Sequence, residues 1–322
     1  MKQRAMMLVV LLLAMTMVLS ACDGVVSGGL LQKLLFELGN DLNDNPEELS
    51  QLIETIPEDF TIPEEVTEMI SEELTLTDTT EPDTTEPATT EPELVPSQGL
   101  EFKSNGNGTC TVAKIGTCTD TNIVIPSVSP YGDRVTSIGD SAFRSYSGLT
   151  SIVIPDGVTS IGDSAFSGCR SLTSIVIPNG VTSIGEAAFA VCISLTSIVI
   201  PDGVTSIGNS VFWDCSGLTS IVIPDGVTSI GDNAFEGCES LTSVVIPDGV
   251  TSIGDYAFSG CSGLTSVVIP DSVTSIDTYA FTGCESLTDV YYTGTEQEWA
   301  AISGGTNNDD LKGATIHFNY VP

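Results

Sequence analysis

Between Ile123 and Leu287 the apolar positions return with a fixed period. Phe143, Phe166, Phe189, Phe212, Phe235, Phe258 and Phe281 stand 23 residues apart. Pro155, Pro178, Pro201, Pro224, Pro247 and Pro270 keep the same 23-residue spacing, as do Cys169, Cys192, Cys215, Cys238, Cys261 and Cys284. One whole unit, Leu172–Ser194, reads LTSIVIPNGVTSIGEAAFAVCIS. A repeat of this length predicts a solenoid, because one unit cannot bury its apolar side alone and stacked units can. Within the unit, Leu172, Ile175 and Ile177 have strand spacing and β-branched character. Pro178-Asn179-Gly180 ends that strand; most other units carry Pro-Asp-Gly, a turn signal with a mechanism. Val181 and Ile184 predict a second short extended piece. Gly185 turns the chain, and Ala188, Phe189 and Cys192 fall on one side of a short helical turn. Stacked coils would pair their strands in parallel about 4.8 Å apart, placing like residues over like.

The polar and apolar positions between the inward isoleucines predict the outer face. Ser151, Ser174, Ser197, Ser220, Ser243 and Ser266 form one outward column. Val153, Val176, Val199, Val222, Val245 and Val268 form its neighbour. An exposed apolar strip of this kind marks an interaction surface, although valine also suits any strand position on β-propensity alone. Trp213 breaks the pattern just after the phenylalanine column, where other units carry Ser, Glu, Ala, Thr or Arg, and is a candidate exposed anchor. These thirteen residues form the candidate binding face.

The unit, a strand ending in Ile-Pro followed by Val-Thr-x-Ile-Gly and Ala-Phe-x-x-Cys, resembles the BspA-type leucine-rich repeat. The resemblance spans about residues 100–322. It implies a repeat solenoid, a leucine-rich-repeat-like right-handed coil of stacked parallel β-strands with short helical turns, capped at both ends. Residues 99–122 then form an N-terminal cap, 123–288 the repeats and 289–322 a C-terminal cap. Phe102–Thr121, with Asn105-Gly106-Asn107-Gly108-Thr109, resembles the family's capping hairpin. Asp289-Val290-Tyr291-Tyr292-Thr293-Gly294, Glu298-Trp299 and Ala314-Thr315-Ile316-His317-Phe318 resemble its closing segment. The first coil departs from the pattern in two ways. An insertion at Ser127–Arg134 is expected to form a loop, and Tyr146 occupies the cysteine position.

Ahead of the coils lie three segments of other character. Lys2 and Arg4 precede an apolar run, Met6–Leu19, too short for a comfortable membrane span at about 20 residues. It ends in Leu19-Ser20-Ala21-Cys22, which resembles a bacterial lipobox. Residues 1–21 are therefore read as a lipoprotein signal peptide and Cys22 as the lipid anchor. Residues 22–77 are an acidic spacer. Helical spacing at Leu30, Leu31, Leu34, Leu35 and Leu38, and again at Leu49, Leu52, Ile53 and Ile56, predicts one or two short helices. These are either transient or a small docking element. Residues 78–98 hold three Thr-Thr-Glu-Pro units, an extended stalk stiffened by proline and by charge repulsion.

Charge and chemistry narrow the function. The chain carries 43 acidic residues against 9 basic ones, a net charge of −34. Such a polyanion repels phosphate backbones, so no nucleic-acid partner is expected. The six repeat cysteines are expected to be free, buried thiols acting as small hydrophobes. Cys110 and Cys118 flank an expected hairpin turn near Lys114–Gly116, and their spacing suits either a disulfide or two thiols. No metal or other cofactor is expected. No Cys-x-x-Cys pair occurs, and His317 is the single histidine. Two acidic columns recur, Asp156, Asp202, Asp225, Asp248 and Asp271 at the first turn, and Asp140, Asp163, Asp232 and Asp255 at the second. Stacked carboxylates could hold calcium, but aspartate is also a turn former, and Asn179 and Asn209 interrupt the columns. No nucleophile elbow, Walker loop, zinc-protease or dinucleotide motif is present, so no catalytic residue and no enzyme activity is expected.

The resemblance implies an adhesin or protein-interaction scaffold that binds protein or glycan on host or other cell surfaces. Localisation is expected on the extracellular face, exported and held to the cell membrane through the lipid, as a monomer. The alternatives are a structural or assembly lipoprotein of the envelope, or an accessory binding module.

Overall fold

The computed structural model describes residues 95–321. The signal peptide 1–21, Cys22, the spacer 22–77 and the stalk as far as residue 94 lie outside the described residues. Within them the 23-residue unit is one coil of a β-solenoid of about nine turns. Each coil has three sides, and each side repeats its backbone hydrogen bonds from coil to coil.

The first side carries the strands that end in Ile-Pro. Asn122–Val124 pairs in parallel with Ser151–Val153, Ser197–Val199 with Ser220–Val222, and Ser243–Val245 with Ser266–Ile269. A single bridge, Val176 to Val199, joins the shorter strand of the third coil to the fourth. The registers are ladders of identical residues, such as Ser197 opposite Ser220 and Ile198 opposite Ile221. Residues alternate in exposure along each strand, so isoleucines at even steps face the core while serine and valine face out. Just before the strand, each Thr Oγ donates to the carbonyl of the threonine one coil earlier, for example Thr219 to Thr196 at 3.1 Å and Thr265 to Thr242 at 3.0 Å. The threonine hydroxyls are thus consumed inside the coil stack.

The second side is built of two-residue strands, Ser160–Ile161, Ser183–Ile184, Ser229–Ile230, Ser252–Ile253 and Ser275–Ile276, again in parallel register. The third side was expected to be a short helical turn. It is instead a run of overlapping turns with positive φ at two residues, for example Ser210 at 57° and Asp214 at 55°. Alternate amides there point along the stack: the N–H groups of Ser210, Phe212 and Asp214 donate to the carbonyls of Asp232, Ala234 and Glu236. The amides between them close turns within the coil. An α-helix would direct every amide back into its own coil, and the next coil's carbonyls would then lack donors.

The core is a set of columns. The seven phenylalanines are fully buried and stack face to face, with successive centroids 5.1–5.7 Å apart and planes within 15°. Burying each ring is worth about 2–3 kcal/mol, and an aromatic pair adds about 1 kcal/mol. Beside them, each repeat cysteine is buried and its thiol donates to the carbonyl of the phenylalanine one coil back, as Cys215 does to Phe189 at 3.1 Å. Most coils carry glycine where the second side meets the third, and at some of them a side chain would collide. A Cβ on Gly231 would lie 2.6 Å from the Asn209 Oδ1, and one on Gly254 would lie 2.6 Å from the Asp232 Oδ1.

Both ends are closed by different structure. Strand β1 (Glu101–Ser104) pairs antiparallel with β2 (Thr109–Lys114), and β2 joins Arg134–Ile138 in parallel, so the hairpin extends the second side. Its turn lies at Asn105–Gly108, where Gly106 and Gly108 have φ of 81° and 78°. The expected hairpin turn near Lys114–Gly116 is therefore a correction. A turn does follow β2, but it leads the chain onward to Cys118 and not back along the strand. Cys110 and Cys118 are both buried and free. The insertion Ser127–Arg134 is a tight loop, closed by Val135 N–H to Ser127 and Ser129 N–H to Asp133.

At the other end, Asp289–Tyr292 continues the first side and is followed by helix α1 (Glu296–Ala301) and helix α2 (Asp309–Gly313). A capping box between Thr295 and Glu298 starts α1. Tyr292 is 1% exposed, with Trp299 and Phe318 against it edge-on at 5.1 and 6.5 Å. Two side chains stand in for the carbonyls of a missing next coil. Asn308 Oδ1 accepts the Phe281 N–H at 3.0 Å, and Asp310 Oδ2 accepts the Gly283 N–H at 2.8 Å.

Candidate binding face

The strand alternation delivers the outward columns to solvent. Val176 is 80% exposed, Val199 49%, Val153 42% and Val245 40%. Val222 and Val268 are half-buried, as are Ser151, Ser220 and Ser266, while Ser174, Ser197 and Ser243 are exposed. Coils about 4.8 Å apart make the valine column from Val153 to Val268 about 24 Å long. Among the described residues only Ser151 of the serine column has its hydroxyl bonded, to the Asn122 Oδ1 at 2.8 Å. The face therefore offers unengaged hydroxyls beside methyl groups on a nearly flat surface. Such a surface can make broad contact with a macromolecule but encloses no small molecule.

Trp213 does not belong to this strip. It is 43% exposed, but it lies in the turn run on the third side. The expected face of thirteen residues therefore divides into a strip of twelve and a separate tryptophan. The strand register and the turn run place the two features on different sides of the coil.

The register carries the strip further than the serine and valine pattern. Ser266 pairs with Asp289 and Val268 with Tyr291; these in turn pair with Thr315 and His317. The rings of Tyr291 and His317 stack at 4.7 Å, and Tyr320 tilts against Tyr291 at 4.8 Å. His317 Nε2 lies 2.7 Å from Asp289 Oδ1, and Thr288 donates to the other oxygen at 2.8 Å. Those two hydrogen bonds, first from His317 and then from Thr288, hold the Asp289 carboxyl below the usual range. The strip thus ends in a polar aromatic cluster. Counting 23 residues on from Val268 would have found Tyr291; a change of residue type in the column hid it.

The acidic column at the second turn has a structural use. Asp140, Asp163, Asp232 and Asp255 each accept, through Oδ1, the backbone N–H of the residue one coil on, at 2.8–3.0 Å. Asn209 makes the same bond to Asp232 at 3.0 Å, which is why an amide can interrupt the column. Among the described residues no three His, Cys, Asp or Glu side chains gather as a metal site would need. Thiol chemistry is also suppressed. Burial pushes Cys169, Cys215 and Cys284 up to about 12, and pushes Cys192, Cys238 and Cys261 well above the ordinary value. One shallow cavity of about 210 Å³ lies at the N-terminal cap between Pro96, Phe102, Pro126, Val128 and Pro130, with no titratable side chain in its lining.

Comparison with known proteins agrees with this geometry. The family model described as "BspA type Leucine rich repeat region" matches residues 117–241 and 205–299, in six copies. The chain is similar to a leucine-rich repeat protein of T. pallidum, at 30% identity over 60% of this chain and 90% of that one, with a TM-score of 0.55. It is also similar to leucine-rich repeat proteins of Bacteroides ovatus and Eubacterium ventriosum. The first is 26% identical over 72% of each chain with a TM-score of 0.49. The second is 31% identical over 55% of this chain and 46% of that one with a TM-score of 0.48. No curated protein matches.

Proposed function

The chain belongs to the BspA-type leucine-rich repeat family, and from that premise we propose that it is a non-catalytic adhesin or interaction scaffold on the outer face of a bacterial cell. In this reading Cys22 carries the lipid, residues 78–98 hold the coils away from the membrane, and the serine and valine strip meets protein or glycan on another surface. The observation that carries the reading is the strip itself: a row of outward valines, Val176 80% exposed, beside serine hydroxyls of which, among the described residues, the fold engages only that of Ser151. Monomeric soluble proteins seldom keep a contiguous apolar row in water without a partner for it. Near-identical coils favour many equal weak contacts over one tuned pocket, so binding gains strength by avidity.

The test is cell-based. Producer cells carrying the intact gene should incorporate labelled palmitate into the protein, and Cys22→Ala should abolish the label and release the protein to the medium. The wild-type cells should adhere to host cells or matrix proteins better than cells lacking the gene. Equal adherence, together with recovery of envelope components in a pull-down, would overturn the adhesin reading in favour of an envelope-assembly role.

A further inference from the structure

The two sheet sides change little from coil to coil, and the turn side changes much. At the left-handed position that opens the turn run, Ser210 and Asn233 give way to Tyr256 and Tyr279, with φ of 58° and 60°. Bulky side chains are uncommon in that conformation. The two rings stack at 4.9 Å and 13°, and Tyr256 is 37% exposed. Three residues along the same run stands Trp213, 43% exposed, and its counterpart in the next coil is Glu236. The Asn233 amide donates to the Glu236 carboxylate at 2.5 Å, which holds the acid on the coil between those of Trp213 and Tyr256. Trp213, Glu236, Tyr256 and Tyr279 therefore run along four successive coils, about 14 Å in all.

The charge around this patch is of one sign. Between Arg170 and Lys312 the chain has no lysine or arginine. Exposed aromatic rings beside carboxylates, with no basic side chain of their own to neutralise them, are complementary to cations. A guanidinium or ammonium over a ring is attracted by the ring's negative face, and an adjacent carboxylate adds a charge-assisted hydrogen bond. We infer that this turn-side patch docks an extended segment of a partner protein bearing arginine or lysine, one cation over Trp213 beside Glu236 and a second over the Tyr256–Tyr279 pair. The two aromatic stations are two coils apart, about 10 Å, which a segment in the extended polyproline II conformation spans in three residues with both side chains on one face. The patch lies off the sheet face, so it stands or falls independently of the strip.

A fluorescein-labelled peptide of sequence Gly-Arg-Ser-Ser-Arg-Gly, titrated with the full chain by fluorescence polarisation at near-physiological salt, tests the site. It should bind measurably more tightly than the same peptide with glutamine in place of arginine. Trp213→Ala, Glu236→Gln and the double change Tyr256→Ala with Tyr279→Ala should each weaken binding about fivefold, and Trp213→Phe less. Asp225→Asn removes the same charge as Glu236→Gln from an exposed corner away from the patch, and should leave binding within about twofold. Equal binding of the two peptides would overturn the proposal. So would an Asp225→Asn loss as large as that of Glu236→Gln, which means diffuse attraction to a polyanion. Unchanged far-UV circular dichroism in Trp213→Phe and Glu236→Gln keeps the comparison decisive if a larger truncation perturbs the fold.

Discussion

Asn308→Ala should loosen the last coil and little else. In interior coils the phenylalanine N–H donates to the carbonyl of the next coil, as Phe235 does to Ala257 at 2.8 Å. Phe281 has no such carbonyl, and Asn308, 3% exposed, supplies one through Oδ1 while its Nδ2 donates to the Asp277 carbonyl at 3.0 Å. Alanine removes both bonds. The Phe281 N–H becomes a buried unpaired donor, at a cost of about 1–3 kcal/mol. The Asp277 carbonyl keeps the Ala280 N–H at 3.4 Å, so its loss is partial. The total comes to about 2–3 kcal/mol. Native-state hydrogen exchange is the assay. Amides of residues 277–284 should exchange at least about 30-fold faster, with the effect fading toward the middle coils because repeats couple mainly to their neighbours. Asn308→Asp keeps the acceptor and should lie between wild type and alanine, whereas Lys312→Ala, an exposed change on α2, should do nothing. Unchanged protection at Phe281, or an equal loss in every coil, would refute the capping role.

The thiols make a pH prediction. Burial raises their folded pKa, so each adds stability that is complete below the unfolded value near 8.5–9 and is lost as pH rises toward the raised folded value, about 12 for Cys215. Above pH 9 each buried thiol should lower stability by about 1.4 kcal/mol per pH unit. The slope should flatten when Cys192, Cys215 and Cys238 are replaced by serine, and an equal slope in that variant would count against it. Native protein at pH 8 should also resist maleimide at all six repeat cysteines, whereas rapid labelling there would show that the column is open. Phe212→Ala, which removes a fully buried ring stacked at 5.7 Å on one side and 5.4 Å on the other, should cost about 3–5 kcal/mol in chemical denaturation. A cost below about 1 kcal/mol would mean that the column is not the core.

Much of this architecture could be read from residue spacing because a solenoid writes its geometry as period. Phe212 predicts Phe235 above it, and Val199 predicts Val222. The alternation Ser197-Ile198-Val199-Ile200 also gave the outward face correctly, since strand period admits only two assignments and the isoleucines need the core. What escaped was structure set by hydrogen bonding. The turn run around Phe212 has helix-like apolar spacing, yet its alternate amides must serve the neighbouring coil, and spacing alone does not show which way an amide points. The same holds for the Asp140 and Asp163 carboxylates. Their residue type suggested a metal site or a turn, and their partner is a backbone N–H one coil away. Asn308 and Asp310 escaped because an end coil breaks the period that made the rest legible. Trp213, an exposed departure next to the phenylalanine column, lies in the turn run and off the strip of strands.

The most direct test of the binding role is a charge placed in the strip. Val176→Glu with Val199→Glu alters two outward side chains, 80% and 49% exposed, and no core contact. The full-length wild type and this variant, with matching circular dichroism, should be passed over immobilised matrix proteins and cell-surface glycans and over intact host cells. The sheet-face reading predicts that the wild type is retained on at least one of these surfaces and that the variant loses at least about tenfold in affinity, a change of about 1.4 kcal/mol. Equal retention of both proteins, or no retention of the wild type on any of them, would contradict it.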